Sequence, residues 1–276
     1  GTSSVDWELR KLHAGAGAIP YTLQKMDQTF FLDDRGITSI FTVQYFGDFQ
    51  SAVASDKIDP YIQSKKDNAT DSIKVRAKNQ YRLYFDDKTG VEMTFINKKN
   101  QGLMPFTLSH QINCTVSAED ANGFEVLYGG FDDGYVRRLD SGTSFDGETV
   151  DSFIRTTYYH YNSPGMRKRF RELSLEINAD TSTTITVTPS YDFGGTYTPK
   201  TVPVSSSYSV TVAADQWSES DISNSSTGVT VVASERVRIN GIGTNMGFII
   251  SNSSIYDKPI TLQGGIVEFS NRGVRR

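Results

Sequence analysis

Hydrophobic and polar residues alternate along most of the chain in short runs bounded by turn residues. Ile37–Val43, Tyr81–Phe85, Phe124–Tyr128 and Thr183–Val187 cluster β-branched and aromatic residues, the pattern of β-strands. The same pattern returns in Phe153–Tyr159, Arg169–Ile177, Thr183–Ser190, Ser207–Val212, Gly228–Ala233, Val237–Ile242, Gly247–Ser251 and Ile260–Phe269. In Arg169–Ile177, apolar Phe170, Leu173, Leu175 and Ile177 largely alternate with polar residues, as a strand with one buried face requires. Helical periodicity is scarce. Pro60–Lys66 predicts one short helix, with Asp59 as N-cap and Pro60 at the first helical position. Val5–His13 predicts a second. The expected fold class is all-β.

Three segments in the first half share one layout: an aromatic strand, a turn with paired aspartates, and a second strand. They are FFLDDRGITSI (Phe30–Ile40), YRLYFDDKTGVEMTF (Tyr81–Phe95) and VLYGGFDDGYVRRL (Val126–Leu139). Asp at a turn accepts hydrogen bonds from its own backbone, and Gly supplies the positive φ that a hairpin turn needs. Recurrence at roughly 40–50 residues is the period of a β-propeller blade. Closing a propeller takes about four blades, and residues 1–145 hold about three. Those residues are therefore expected to form propeller-like blades belonging to a larger ring. The chain is expected to be part of a longer polypeptide. An open β-meander is the plainer alternative.

Composition shifts at Asp140–Asp151 (DSGTSFDGETVD), a Gly/Ser/Thr/Asp-rich stretch that reads as a linker. Residues 146–276 then carry about eight predicted strands with frequent turns, which fits a β-sandwich or jelly roll. The runs Thr201–Ser207 and Ser218–Thr227 read as exposed loops.

The 276 residues carry 28 lysines and arginines against 32 aspartates and glutamates, a net charge of -4. A polyanion-coating protein with a large positive excess is excluded. The single cysteine, Cys114, excludes an intrachain disulfide framework and a multi-cysteine zinc site. It lies in the strand-like run QINCTV, where a buried, inert thiol is expected. Only His13, His110 and His160 are available for acid–base or metal chemistry. The N-terminal residues lack the charged-then-apolar pattern of a secretory signal, and no apolar run is long enough to span a membrane. The aspartate pairs lack the DxDxDG order of a calcium loop and read as turns. No GxSxG elbow or phosphate-binding P-loop occurs. No catalytic residue, cofactor or metal site is expected.

One basic cluster stands out in PGMRKRFRELSLEI: Arg167, Lys168, Arg169 and Arg171. Arg137 and Arg138 precede it, and Arg272, Arg275 and Arg276 lie near the C-terminus. On a strand, Arg169 and Arg171 share the polar face. They can pair with carboxylates of a neighbouring strand, contact another subunit, or meet nucleic-acid phosphates. The four residues are the candidate subunit-contact site.

The run EVLYGGFDDGYVRRLDSGTSFDGETV followed by SPGMRKRFRELSLEI resembles a stretch of virion tail proteins of short-tailed bacteriophages. SDKIDPYIQ (Ser55–Gln63), VRAKNQYRLYF (Val75–Phe85) and the turn Ala118–Glu125 are similar too. The resemblance covers about residues 30–180. It points to the tail nozzle, or packaged-DNA stabilisation, group. It implies a structural, non-enzymatic virion protein, assembled in the host cytoplasm. Copies of itself would form a ring extending the portal and adaptor channel, carrying tail-fibre or tailspike proteins and helping to retain and deliver DNA. DNA in the lumen would be a transient, non-specific contact, which suits a near-neutral protein because strong basicity would hold the polyanion. The alternative reading is a carbohydrate-binding or glycan-degrading β-protein, with Trp7 or Trp217 as sugar platforms.

Overall fold

The computed structural model describes residues 17–40, 53–97, 99–179, 181–204, 208–211, 228–231, 233–255 and 260–274. The predicted helix at Val5–His13 and the loop at Ser218–Thr227 lie outside these residues. The described residues are mostly strand, in antiparallel sheets, so the protein is all-β. The chain divides into two compact units, Gly1–Ser141 and Gly142–Arg276. The division falls at the start of the Gly/Ser/Asp-rich stretch.

Among its described residues the first unit contains three sheets, each an up-and-down meander. The first pairs β1 (Gln24–Lys25), β2 (Thr29–Asp33) and β3 (Gly36–Ser39). The second runs β4 (Ala69–Val75), β5 (Gln80–Phe85), β6 (Thr89–Ile96) and β7 (Lys99–Thr107). The third runs β8 (Ile112–Glu119), β9 (Glu125–Phe131) and β10 (Val136–Leu139). Each aspartate pair sits in the hairpin turn at the heart of one sheet: β2–β3, β5–β6 and β9–β10.

The three turns use their aspartates differently. In the first, Asp33 Oδ1 accepts from the backbone N–H of Arg35 (2.8 Å) and Gly36 (3.1 Å). In the second, Asp87 Oδ1 accepts from Thr89 N (3.2 Å) and Thr89 Oγ1 (2.5 Å). In the third, Asp133 Oδ1 accepts from Tyr135 N (3.1 Å). Gly134 in that turn has φ +83°, a conformation that costs a side-chain-bearing residue strain.

Neighbouring sheets of this unit share cores. Tyr81, Leu83 and Phe85 of β5 and Val91, Met93 and Phe95 of β6 pack with Phe30, Leu32 and Ile37 of the first sheet. On the opposite side, Tyr84 of β5 and Ile73 and Val75 of β4 pack with Ile112, Leu127 and Phe131 of the third sheet. Strand β5 is therefore buried on both faces. Each such apolar side chain contributes roughly 1.5–3 kcal/mol on burial.

The short helix α1 (Asp59–Lys65) inserts Ile62 into the first of these cores. Proline lies in its first turn as expected. Asp59 is not the N-cap, however. A 3-10 turn at Asp56–Ile58 runs straight into α1, so Asp59 already has helical angles (φ -51°, ψ -47°). Its Oδ1 accepts from Gln63 Nε2 (3.2 Å) one turn on.

The second unit contains β11 (Val150–Arg155), β12 (Met166–Ala179), β13 (Thr183–Tyr191), β14 (Gly195–Thr196), β15 (Lys200–Val204), β16 (Tyr208–Thr211), β17 (Gly228–Val231), β18 (Ala233–Gly243), β19 (Met246–Ser254) and β20 (Ile260–Val274). One sheet runs β11-β19-β13-β14, with β15 also on β13. A second runs β18-β12-β20, and β16 pairs with β17. Phe170, Leu173, Leu175 and Ile177 of β12 share one core with Ile185 and Val187 of β13, Val237 and Ile239 of β18, and Met246 and Ile250 of β19. The two larger sheets thus face each other across a single apolar layer.

Two local features fit this layer. A Cβ at Gly241 would run into the Tyr191 ring, so only glycine lets β18 lie against that ring. The segment expected as the loop Thr201–Ser207 is instead strand through Val204. Val202 and Val204 alternate inward and are buried, and Pro203 is tolerated because β15 pairs on one side only.

Candidate functional site

The basic cluster lies at the start of β12, and the strand's pleat divides it. Arg167 and Arg169 are exposed on the outer face, and Lys168 between them points inward. Arg171 is also exposed. It falls where the register of β12 shifts against both neighbours, between Phe170 and Glu172. Such a bulge re-aims one side chain.

Lys168 is 0% exposed. Its Nζ donates to three carbonyl oxygens: Ser163 (2.5 Å), Met166 (3.1 Å) and Thr244 (3.1 Å). Burial pushes its ammonium below the usual lysine range. Asp192 Oδ1 in turn holds Thr244, accepting from its N–H (2.8 Å) and its Oγ1 (2.7 Å). Of the expected group of four, Lys168 is buried and Arg167, Arg169 and Arg171 are exposed. A subunit contact can draw on the three arginines, whereas Lys168 ties together the loops beneath them.

Cross-strand neighbours decide what the arginines face. Arg169 lies between Ile242 of β18 and Ser270 of β20, and Arg167 lies opposite Gly273. Among the described residues, none of Arg167, Arg169 and Arg171 has a carboxylate within ion-pair distance. Further along the same face, Glu172 lies between Arg238 and Glu268, and Arg236 NH1 is 3.8 Å from Glu172 Oε1. The outer face of β18-β12-β20 is thus basic at one end and mixed in charge at its centre. Arg236 and Arg238 were not picked out from the sequence. The alternation in SERVRI was the available signal.

In the first unit the charged groups serve the sheet interfaces. Arg82 lies on β5 and Asp140 just beyond β10. They form a two-point ion pair, NH1–Oδ1 2.7 Å and NH2–Oδ2 2.9 Å. Burial pushes the Asp140 carboxyl up, but the bonds from Arg82 and Lys78 outweigh it and hold it below its ordinary value. Arg76 bridges Glu119 (2.7 Å) and Glu125 (3.3 Å), which lie directly opposite each other where the turn joins β8 to β9. Burial pushes Glu125 up as well. Bonds from Ser117 Oγ and the backbone N–H groups of Ala77 and Arg76 overcome this and bring it to about 2.

Cys114 lies on β8 as expected, but it is exposed, which corrects the buried reading. It is on the face of the third sheet turned away from the second, beside Val116 and Tyr128, both exposed. His110 lies 3.5 Å from Asp132 and 3.8 Å from Asp133 at the β9–β10 turn. Trp7, Trp217, Arg275, Arg276 and His13 lie outside the described residues. Among the described residues, no three His, Cys, Asp or Glu side chains gather as metal ligands. No described helix is long and apolar enough to cross a membrane.

No protein-family model matches the chain, and no curated protein matches it either.

Proposed function

We propose that the chain is a structural component of a bacteriophage tail, of the nozzle type, which forms an oligomeric ring extending the portal and adaptor channel. The carrying observation is the burial of β5 on both faces between two further meanders. Repeated meanders stacked face to face, each centred on an Asp-pair hairpin, are what propeller-like blades are made of. The facing sheets of the second unit suit a sandwich-like domain. The residue resemblance over about 30–180 adds the virion context.

In this reading the mechanism is mechanical. Rigid sheets carry load without rearranging, because close-packed cores resist compression. A ring of identical chains lines the channel and presents one surface to the adaptor and another to the next tail component. Exposed Arg167, Arg169 and Arg171 are suited to chain–chain contact, since arginine is favoured at interfaces.

The test is the mass of the native assembly by light scattering, with imaging of the particles. A closed ring of discrete copy number is the expected result. A monomer at every concentration, together with binding in a glycan screen, would replace this reading with the carbohydrate-binding one.

A further inference from the structure

Among the described residues, the edge strands of the second unit's two larger sheets include β11 and β20. Strand β11 pairs with β19 alone, and β20 pairs with β12 alone. An exposed edge offers a row of N–H and C=O groups to another strand, and proteins ordinarily blunt such edges with proline or inward charge. Neither device is present here. Strand β11 reads VDSFIR and β20 reads ITLQGGIVEFSNRGV, both without proline.

Both edges also expose large apolar side chains. Phe153 is 73% and Ile154 52% exposed on β11. On β20, Ile266 is 61% and Phe269 37% exposed. Ile154 lies opposite core residue Ile250, so it projects from the core-side face of its sheet. Phe269 likewise lies on the core side, where its ring packs against Tyr161 and Phe170. Asp151, Phe153 and Arg155 project from the opposite face of β11. Glu268 and Ser270 do so on β20, beside Glu172 and Arg169 of β12.

We propose that β11 of one copy pairs antiparallel with β20 of the next copy, with Phe153 opposite Ser270. This inference rests on the ring reading above and names the contact that builds the ring. Residues directly opposite in an antiparallel pair share a face. The register therefore sets Arg155 against Glu268 on the outer face, and Asp151 against Arg272. On the core side it sets Ile154 against Phe269. Two opposite-charge pairs and one apolar pair follow from a single alignment. Arg272 is the unladdered residue of a bulge against β12, whose ladder with β20 resumes at Gly273 and Val274.

Self-pairing of either edge also matches charges. Centred on Phe153, β11 would set Asp151 against Arg155 of its copy, and β20 would match Glu268 with Arg272. Those registers, however, set Ile154 against Ser152 and Phe269 against Asn271. Of these registers, the β11–β20 one sets the two core-side apolar side chains, Ile154 and Phe269, against each other. Repeated head to tail, this contact closes into a ring when the rotation from copy to copy is a whole fraction of a turn.

Charge reversal separates these arrangements. One variant carries Asp151→Arg with Arg155→Asp, a second carries Glu268→Arg with Arg272→Glu, and a third carries all four. All four positions are exposed, and near-UV circular dichroism checks that the fold is kept. Light scattering across a concentration series then reads assembly. Each two-residue variant alone is expected to need at least about tenfold more protein to assemble, since like charges then oppose. The four-residue variant is expected to assemble like the native chain. Self-pairing predicts no loss in either two-residue variant, because each reversed strand still complements itself. Assembly unchanged in the two-residue variants would overturn this pairing and leave the ring intact. So would loss that the four-residue variant does not restore. A native chain that stays monomeric throughout would overturn the ring reading and this contact with it.

Discussion

Arg82 of β5 and Asp140 beyond β10 meet in a two-point ion pair in which the arginine is 7% exposed. The pair spans two sheets of the first unit. Asp140 has φ +54°, a left-handed conformation that aspartate tolerates better than most residues. Removing Asp140 would leave the buried Arg82 with Glu92, 3.4 Å from its Nε, as its remaining carboxylate. Asp140→Ala is expected to cost about 3 kcal/mol in chemical denaturation. The double variant Arg82→Met with Asp140→Ala is expected to recover part of that loss, because the buried arginine that had lost its two-point partner is gone as well. A double variant as unstable as the single one would show that the contact does not work through charge.

Glu125 sets an acid limit on the same unit. Its carboxyl falls from an ordinary value of 4.5 to about 2 in the fold. A carboxyl depressed on folding adds stability above its unfolded pKa and loses it as pH falls toward the folded value. The native chain is therefore expected to lose stability between about pH 4.5 and pH 2. Glu125→Gln should be less stable at neutral pH and should show a shallower decline over that window. Urea midpoints at a series of pH values measure this, and identical slopes in the two proteins would contradict it.

Neighbours in sequence, Lys168 and Arg169 should respond oppositely to truncation. Lys168→Met removes the donor shared by three carbonyl oxygens, of which Ser163 O keeps the Met166 N–H (3.2 Å), and is expected to cost about 1–3 kcal/mol. Arg169→Met removes an exposed side chain with no ion pair among the described residues, and should stay within about 0.5 kcal/mol. Thermal unfolding of the two variants decides it. Equal losses would mean that the inward and outward positions are not distinguished as described.

Cys114 should react in the native protein. Its exposure on the third sheet's open face predicts alkylation within about tenfold of the rate in denaturant. A thiol that reacts only after unfolding would show that something covers this face in solution.

Much of the fold was legible from local pattern. The three Asp-pair hairpins follow from turn chemistry acting over four residues or so, with no distant partner required. The alternation of β12 is visible because one of its faces meets a core and the other does not. The candidate site was legible only as a cluster. From RKRFR alone, nothing distinguishes a lysine held by carbonyls of residues 163, 166 and 244 from three outward arginines. Thr244 is remote in sequence, and the bulge at Arg171 is set by both neighbouring strands.

Sequence by itself determined that this protein is all-β, where its hairpins turn, and which strands carry an apolar stripe. Those properties depend on residues within reach of one another along the chain. Tertiary structure alone decided which stripe is covered. Strand β5 alternates like a half-exposed strand, yet it is buried on both sides because a sheet lies against each face and Asp140 neutralises Arg82. Cys114 sits in an equally strand-like run and is exposed because its sheet has a neighbour on one side only among the described residues. Burial is a property of what lies opposite, and what lies opposite is set by pairings between distant parts of the chain.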